Sequence, residues 1–152
     1  LPKQALLRLD ANGGLNINEA KEWLRVVDGM SRVEFIEQPL ATQEFEAMLE
    51  LGTRFTTALA LDESVANLKQ LQDCYDRGWR GIFVVKPAIA GSPQRLRYFC
   101  QQYQIDAVFS SVFETEIGRK AALRLAAELS SPDRAVGFGV ENYQFLSLSP
   151  NP

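Results

Sequence analysis

Histidine is absent from this chain of 152 residues. Its absence removes Ser-His-Asp and Cys-His nucleophile machinery, imidazole general bases, and most zinc and copper sites. Acid–base chemistry is left to Lys, Asp, Glu, Tyr or Cys. Any metal must accept oxygen ligands, which points to Mg²⁺, with Mn²⁺ as the alternative. Cysteine is scarce: Cys74 and Cys100 lie far apart and outside any C-x-x-C pattern. They read as buried thiols of a reducing, cytoplasmic compartment rather than a disulfide or redox pair. There is no basic run, and the net charge is −3, which argues against nucleic acid or an anionic membrane as a partner. No apolar stretch exceeds strand length, so no segment is expected to span a bilayer. No charged-then-apolar signal sequence opens the chain.

What is present is a periodic pattern. Hydrophobic residues make up 46% of the chain, enough for one globular domain, expected over residues 1–145. The Ser- and Pro-containing stretch 146–152 reads as a frayed tail. Short apolar runs end in a charged residue at steps of about 25 residues. LLRLD ends at Asp10, VEFIE at Glu37, LALD at Asp62 and IFVVK at Lys86; a fifth run, AVFSS, reaches Ser110 at the next step. Such a step accommodates one strand, one loop and one helix. Strands are predicted at Ala5–Asp10, Val33–Glu37, Ala58–Asp62, Gly81–Lys86, Asp106–Ser110 and, weakly, Ala135–Gly139. Most are continuous apolar runs, as in a parallel sheet covered on both faces.

Helical stripes fill the intervals. Ala20, Trp23, Leu24 and Val27 recur at helical spacing, as do Leu96, Phe99, Cys100 and Tyr103. Shorter stripes are Phe45, Met48 and Leu49, then Leu68, Leu71 and Tyr75; Ala122, Leu125, Ala126 and Leu129 complete the set. Asn16 with Glu19 predicts a capping box, and Ser92-Pro93 an N-cap followed by N1 proline. Gly52 and Gly78 are predicted to follow helix ends. Alternating strands and helices give an α/β fold with right-handed crossovers. An open doubly wound sheet would show a Gly-rich phosphate loop after its first strand; Ala11-Asn12-Gly13-Gly14 is neither G-x-G-x-x-G nor a P-loop. A (β/α)8 barrel puts its chemistry on consecutive strand ends. Six strands cannot close an eight-stranded ring, so the expected fold is an incomplete (β/α)8 TIM-type barrel, about strands 3 to 8.

A lone acid after a strand is ordinarily a helix N-cap or a solvated loop residue. Acids are 19 of 152 residues, so three in register are a rare coincidence. Carboxylates side by side at a barrel mouth repel unless a cation compensates. Asp10, Glu37 and Asp62 are therefore candidate metal ligands. Open positions on such an ion make it a Lewis acid for a substrate carboxylate, whose α-proton becomes removable because the ion stabilises the enediolate. Lys86 would serve there as acid, base or fixed positive charge; the alternative is an ion pair with Asp62.

These residues carry a resemblance. Leu9-Asp10-Ala11-Asn12-Gly13, Ile36-Glu37-Gln38-Pro39, Leu61-Asp62-Glu63-Ser64 and Val85-Lys86-Pro87 resemble the strand-end motifs of the enolase superfamily, above all its muconate-lactonizing branch. The stretch from Val84 to Pro93, the stretch from Ser110 to Gly118, and Arg8 with Asp10 and Asn12 resemble the o-succinylbenzoate synthase family within it. The likeness runs from about Leu6 to Tyr143. It implies that Asp10, Glu37 and Asp62 bind Mg²⁺, with Asn12 and Glu63 orienting them. It implies that Lys86 stabilises the enediolate, and that Arg8, Gly91, Ser92, Ser110 and Ser111 contact the substrate. Ser92 reads equally as a plain N-cap. Glu114 is left between a supporting hydrogen bond and the start of a helix. The implied reaction is a syn dehydration of a succinyl-hydroxycyclohexadiene carboxylate to an aromatic ring in menaquinone or phylloquinone synthesis; the implied partner is thus a small-molecule carboxylate.

The family's base is the second lysine of a Lys-x-Lys pair on the second barrel strand. No such pair precedes Arg8, and Lys3 has no lysine two residues away. The N-terminal capping domain has no counterpart either. The chain is therefore expected to be the C-terminal portion of a longer enzyme, inactive alone. The rival within the superfamily is an N-acylamino-acid racemase. A dipeptide epimerase is disfavoured because Gly137-Phe138-Gly139-Val140-Glu141 carries no Asp-x-Asp, and the mandelate-racemase branch because it needs a histidine. From another class, a non-catalytic metal-binding or assembly module fits the missing lysines. Oligomeric state is left open.

Overall fold

Apolar runs of Leu, Val, Ile and Phe become strands where the periodicity places them. The computed structural model describes residues 5–130 and 134–138. The strands are β1 (Leu7–Asp10), β2 (Val33–Glu37), β3 (Ala58–Leu61), β4 (Ile82–Val85) and β5 (Ala107–Phe109). Between and after them lie α1 (Ile17–Val27), α2 (Phe45–Arg54), α3 (Leu68–Asp76), a single turn α4 (Pro87–Ala90), α5 (Pro93–Tyr103) and α6 (Glu116–Leu129). All strand pairs are parallel and the sheet order is β1-β2-β3-β4-β5. Sequential order with no reversal excludes a doubly wound sheet. Right-handed crossovers between adjacent strands keep the helices on one face. The result is the curled half of a (β/α) barrel.

Two apolar layers follow from the period-2 alternation of strands. Ile36, Leu59, Leu61, Phe83, Val85, Ala107 and Phe109 point outward into the core shared with the helices. Phe35, Ala60, Ile82, Val84 and Val108 point the other way and form a separate buried cluster inside the curl. Each fully buried residue of this kind contributes about 1.5–3 kcal/mol. Both faces of β4 are covered, and all four of its residues are buried, which is why the run IFVV shows no alternation.

The inner cluster sets the parity of the strand ends. Asp10 is paired with Glu37, and Glu37 with Ala60. Ala60 is paired with Ile82, and Val84 with Val108. Asp62 is two residues beyond Ala60, Lys86 two beyond Val84, and Ser110 two beyond Val108. All share the inner face: Asp10 and Glu37 are level, Asp62 lies two residues further along, and Lys86, level with Ser110, lies two further again, a stagger of the kind a barrel requires.

The predicted strand Val33–Glu37 coincides with β2, and the other four are each slightly long. Asp62, Lys86 and Ser110 lie one residue past the ladder. The weak sixth strand is reduced among the described residues to a parallel bridge between Ser110 and Gly137; Gly139 lies outside them. So do Lys3, the tail 146–152 and most of the stretch read against Asp-x-Asp. No helix among the described residues is long and apolar enough to cross a membrane.

Local signals hold with particular exceptions. The Asn16 side chain accepts from the backbone N–H of Asn18 (2.9 Å) and Glu19 (3.1 Å), and Glu19 accepts from the Asn16 N–H (2.8 Å). A second capping box, Asn67 with Gln70, was not read from the sequence. Gly78 follows α3 at φ 101°, a conformation that favours glycine. Gly52 instead lies inside α2, which runs on to Arg54. The reason is that Leu51, fully buried, extends the apolar stripe past Leu49. Trp23 is 39% exposed, at the margin of a face centred on Ala20, Leu24 and Val27. Cys74 is buried where Leu68 and Tyr75 are only partly so.

Candidate metal centre

The ends of β1, β2 and β3 bring Asp10, Glu37 and Asp62 to one mouth, with Lys86 from the end of β4 beside them. Asp10 and Glu37 close their strands and are directly paired. Asp62 precedes a single 3-10 turn and Lys86 precedes α4, yet neither side chain caps its helix. The N-cap explanation of Asp62 therefore fails. The Lys86 ammonium instead donates to Asp62 Oδ2. The alternative weighed for Lys86, an ion pair with Asp62, is thus present in the structure.

The electrostatics show what this arrangement costs. The Glu37 carboxyl is pushed up to about 7, first by burial and then by the negative charges of Asp10 and Asp62; Lys86 opposes the shift. Glu63 is also pushed up, chiefly by burial, with Asp62 and Asp10 adding to it. A group of acids too crowded for all to ionise readily lacks sufficient positive charge. Asp62 is buried, and its Oδ1 has no hydrogen-bond partner among the described residues. A buried carboxylate oxygen without a partner is costly, and a hard cation would satisfy it. Three carboxylates without histidine or thiolate suit Mg²⁺ or Mn²⁺. Among the described residues no three acidic, histidine or cysteine side chains are grouped closely enough to hold a metal ion as they stand; Lys86 holds one oxygen of Asp62, and Asp10 Oδ1 accepts from the Asn12 N–H at 2.9 Å.

The supporting residues fall into two groups. Asn12, at φ 47°, meets Asp10 through its backbone rather than its side chain. Gly91, at φ 119°, and Ser92 lie exposed where α4 gives way to α5; Ser92 caps α5 by accepting from the Arg95 N–H at 3.5 Å. Ser110, on the inner face, and Ser111 follow the end of β5, and both hydroxyls donate to the Gly137 carbonyl, at 3.3 and 3.2 Å. Glu114, just before α6, has two buried carboxylate oxygens without partners among the described residues, and burial pushes its carboxyl up against the pull of Arg119.

Arg8 pairs with an acid of the neighbouring strand. The register between β1 and β2 slips between Leu7 and Arg8, leaving Glu34 as the extra residue. Such a bulge re-aims a side chain, and here Glu34 turns to meet Arg8. Arg8 Nε donates to Glu34 Oε2 at 2.7 Å, with its guanidinium 4.9 Å from the Phe35 ring centre. Arg134 bridges the same Glu34 (2.7 Å) to Asp106 (3.1 and 2.5 Å). This ion network sits one layer below Asp10, away from the strand ends, and ties β1 and β2 to the start of β5.

The residue that sequence reasoning passed over is Gln38. It lies between Glu37 and Pro39, is wholly buried, and has φ 35°. Its Oε1 accepts from the N–H of Asp62 (3.0 Å) and Ser64 (3.2 Å), and its Nε2 donates to the Leu40 carbonyl (2.9 Å). No pattern in the sequence signals it, because Glu37 and Pro39 break the apolar run on either side.

Comparison with known proteins agrees with this geometry. Residues 2–148 match the family model described as "Enolase C-terminal domain-like". The o-succinylbenzoate synthase of Thermosynechococcus vestitus is 40% identical over 97% of this chain and 47% of its own length. That of Mycobacterium ulcerans is 29% identical over 88% of this chain and 40% of its own. A crystal structure of o-succinylbenzoate synthase from Thermosynechococcus elongatus, complexed with Mg in the active site, superposes with a TM-score of 0.84 at 41% identity, covering 92% of this chain and 45% of that one. Muconate lactonizing enzyme from Pseudomonas putida, at 22% identity and a TM-score of 0.74 over 89% of this chain and 38% of its own, shares the fold. The chain spans about half the length of the curated relatives it matches. With half-barrel, strand-end acids and near-complete match in agreement, the chain belongs to the enolase C-terminal domain-like family, and its curated relatives are o-succinylbenzoate synthases.

Proposed function

We propose that this chain is the metal-binding barrel portion of a cytoplasmic, Mg²⁺-dependent o-succinylbenzoate synthase that dehydrates a succinyl-hydroxycyclohexadiene carboxylate in menaquinone or phylloquinone synthesis. The observation that carries the reading is the crowding at the strand ends: Glu37 is pushed up to about 7 by burial and by Asp10 and Asp62, while Asp62 Oδ1 is buried without a partner among the described residues. The 40% identity to a curated synthase over 97% of the chain supports the choice within the family.

Asp10, Glu37 and Asp62 would hold Mg²⁺. When bound, the ion supplies Lewis-acid stabilisation of negative charge on a substrate carboxylate. Lys86 keeps an ammonium at the same mouth, where it balances negative charge as the proton α to the carboxylate is removed. The inner cluster of Phe35, Ala60, Ile82, Val84 and Val108 closes the floor beneath and excludes water. Ser110 and Ser111, on the next strand, offer hydroxyls to a polar part of the substrate. The ring hydroxyl leaves with a proton as water, and the ring becomes aromatic. The resemblance puts the abstracting lysine on an earlier strand, in the part of the relatives that this chain does not match; these 152 residues are proposed to turn over little or nothing alone.

The test uses the intact protein with the diene substrate, following aromatisation by ultraviolet absorbance. Turnover is expected to require Mg²⁺ and to fall about 100-fold or more in Lys86→Met, with Mg²⁺ affinity kept. Racemisation of N-acylamino acids without dehydration would reassign the activity.

A further inference from the structure

Three strands carry the three acids, and one buried side chain reaches from the second to the third. We propose that Gln38 is a positioning residue: it sets the backbone at Asp62 so that this carboxylate faces Glu37 and Asp10. The inference rests on the metal reading above.

The geometry supports it step by step. β3 ends at Leu61, so the Asp62 and Ser64 N–H groups no longer belong to the ladder. Both are captured by one acceptor, Gln38 Oε1, at 3.0 and 3.2 Å. Other donors and acceptors of Gln38 hold the adjacent elements. Its backbone N–H donates to the Ala60 carbonyl at 2.8 Å, its carbonyl accepts from the Gly13 N–H at 2.6 Å, and its Nε2 donates to the Leu40 carbonyl at 2.9 Å. Gln38 thus joins the loop after β1, the end of β2 and the end of β3. Gln38 is 0% exposed, so no water can replace these bonds. It also sits at φ 35°, a conformation a non-glycine residue adopts only when its surroundings impose it. A core amide serving packing alone would not need to gather two amides that flank the turn bearing a ligand candidate.

The amide pattern dictates the variants. Gln38→Met keeps the volume and removes both the acceptor and the donor. Gln38→Glu keeps the acceptor, and in its protonated form keeps the donor to Leu40 as well. Mg²⁺ titration of the intact protein is combined with amide hydrogen exchange at residues 62 and 64 and with metal-free melting. Gln38→Met is expected to weaken Mg²⁺ binding about 10–100-fold, as loss of groups supporting metal ligands does, and to speed exchange of the two amides by at least about 10-fold. Gln38→Glu is expected to recover most of both. A cooperatively melting Gln38→Met protein with wild-type Mg²⁺ affinity overturns the proposal. If Gln38→Met does not fold, Gln38→Glu decides: slow exchange at both amides with near-wild-type affinity upholds the proposal, and free exchange overturns it. If the wild type binds no Mg²⁺, the functional reading fails, and the exchange measurement alone judges whether Gln38 sets the Asp62 backbone.

Discussion

At the residue scale, Glu37 has the most consequential environment. Burial and two neighbouring acids raise its carboxyl from 4.5 to about 7. A raised folded-state value means the folded protein holds this proton more tightly than the unfolded chain. The contribution is fully present below about 4.5 and is lost as pH rises through about 7. Metal-free protein is therefore expected to melt at lower temperature as pH rises through that window. Mg²⁺ needs the ionised form, so its affinity should climb over the same interval and level off above it. Glu37→Gln should flatten both profiles in melting and titration experiments. Legibility differs residue by residue here. Asp10, Glu37 and Asp62 were readable because charge at the end of an apolar run violates the strand's own pattern. Gln38 was not, since nothing in its neighbours' spacing tells that its side chain folds back onto β3. Arg8 was read by likeness alone, and its pairing with Glu34 depends on a bulge that no sequence pattern announces.

At the element scale, helix ends and strand ends obeyed different signals. The capping box at Asn16 is local chemistry, and local chemistry is readable. Asn16→Ala should cost about 1 kcal/mol in chemical denaturation. Gly52 shows the opposite case. Read as a helix terminator, it is interior to α2 because burial of Leu51 outweighs the poor helix propensity of glycine. An added Cβ would meet nothing within 4 Å. Gly52→Ala should therefore stabilise the protein by about 0.5–1 kcal/mol, measured as a higher midpoint in urea; a loss of stability would return the helix end to residue 51. The ion network of Arg8, Glu34, Arg134 and Asp106 joins strands distant in sequence. Burial would push the Glu34 carboxyl up, but hydrogen bonds from Arg8 and Arg134 outweigh it and hold it below its usual value. The resulting stability is present above about 4.5 and lost as pH falls below it. Arg134→Met should reduce that acid sensitivity.

At the scale of the whole molecule, sequential parallel order turns a repeat of about 25 residues into a curved wall. The repeat was legible because its inner strands, β4 and β5 above all, are buried on both faces and read as unbroken apolar runs. The stagger that carries Asp62 two residues beyond Glu37, and Lys86 two beyond Asp62, was not, because it arises from pairing between strands rather than within them. That stagger brings the acids of three strands to one mouth, with the ammonium of the fourth against them. Titration of Mg²⁺ into the intact protein, wild type beside Asp62→Asn, tests this most directly. The account predicts a single site per chain in the wild type, weakened by at least about 100-fold when the Asp62 carboxylate is removed. Equal affinity in the two proteins, or no site in the wild type, would contradict it.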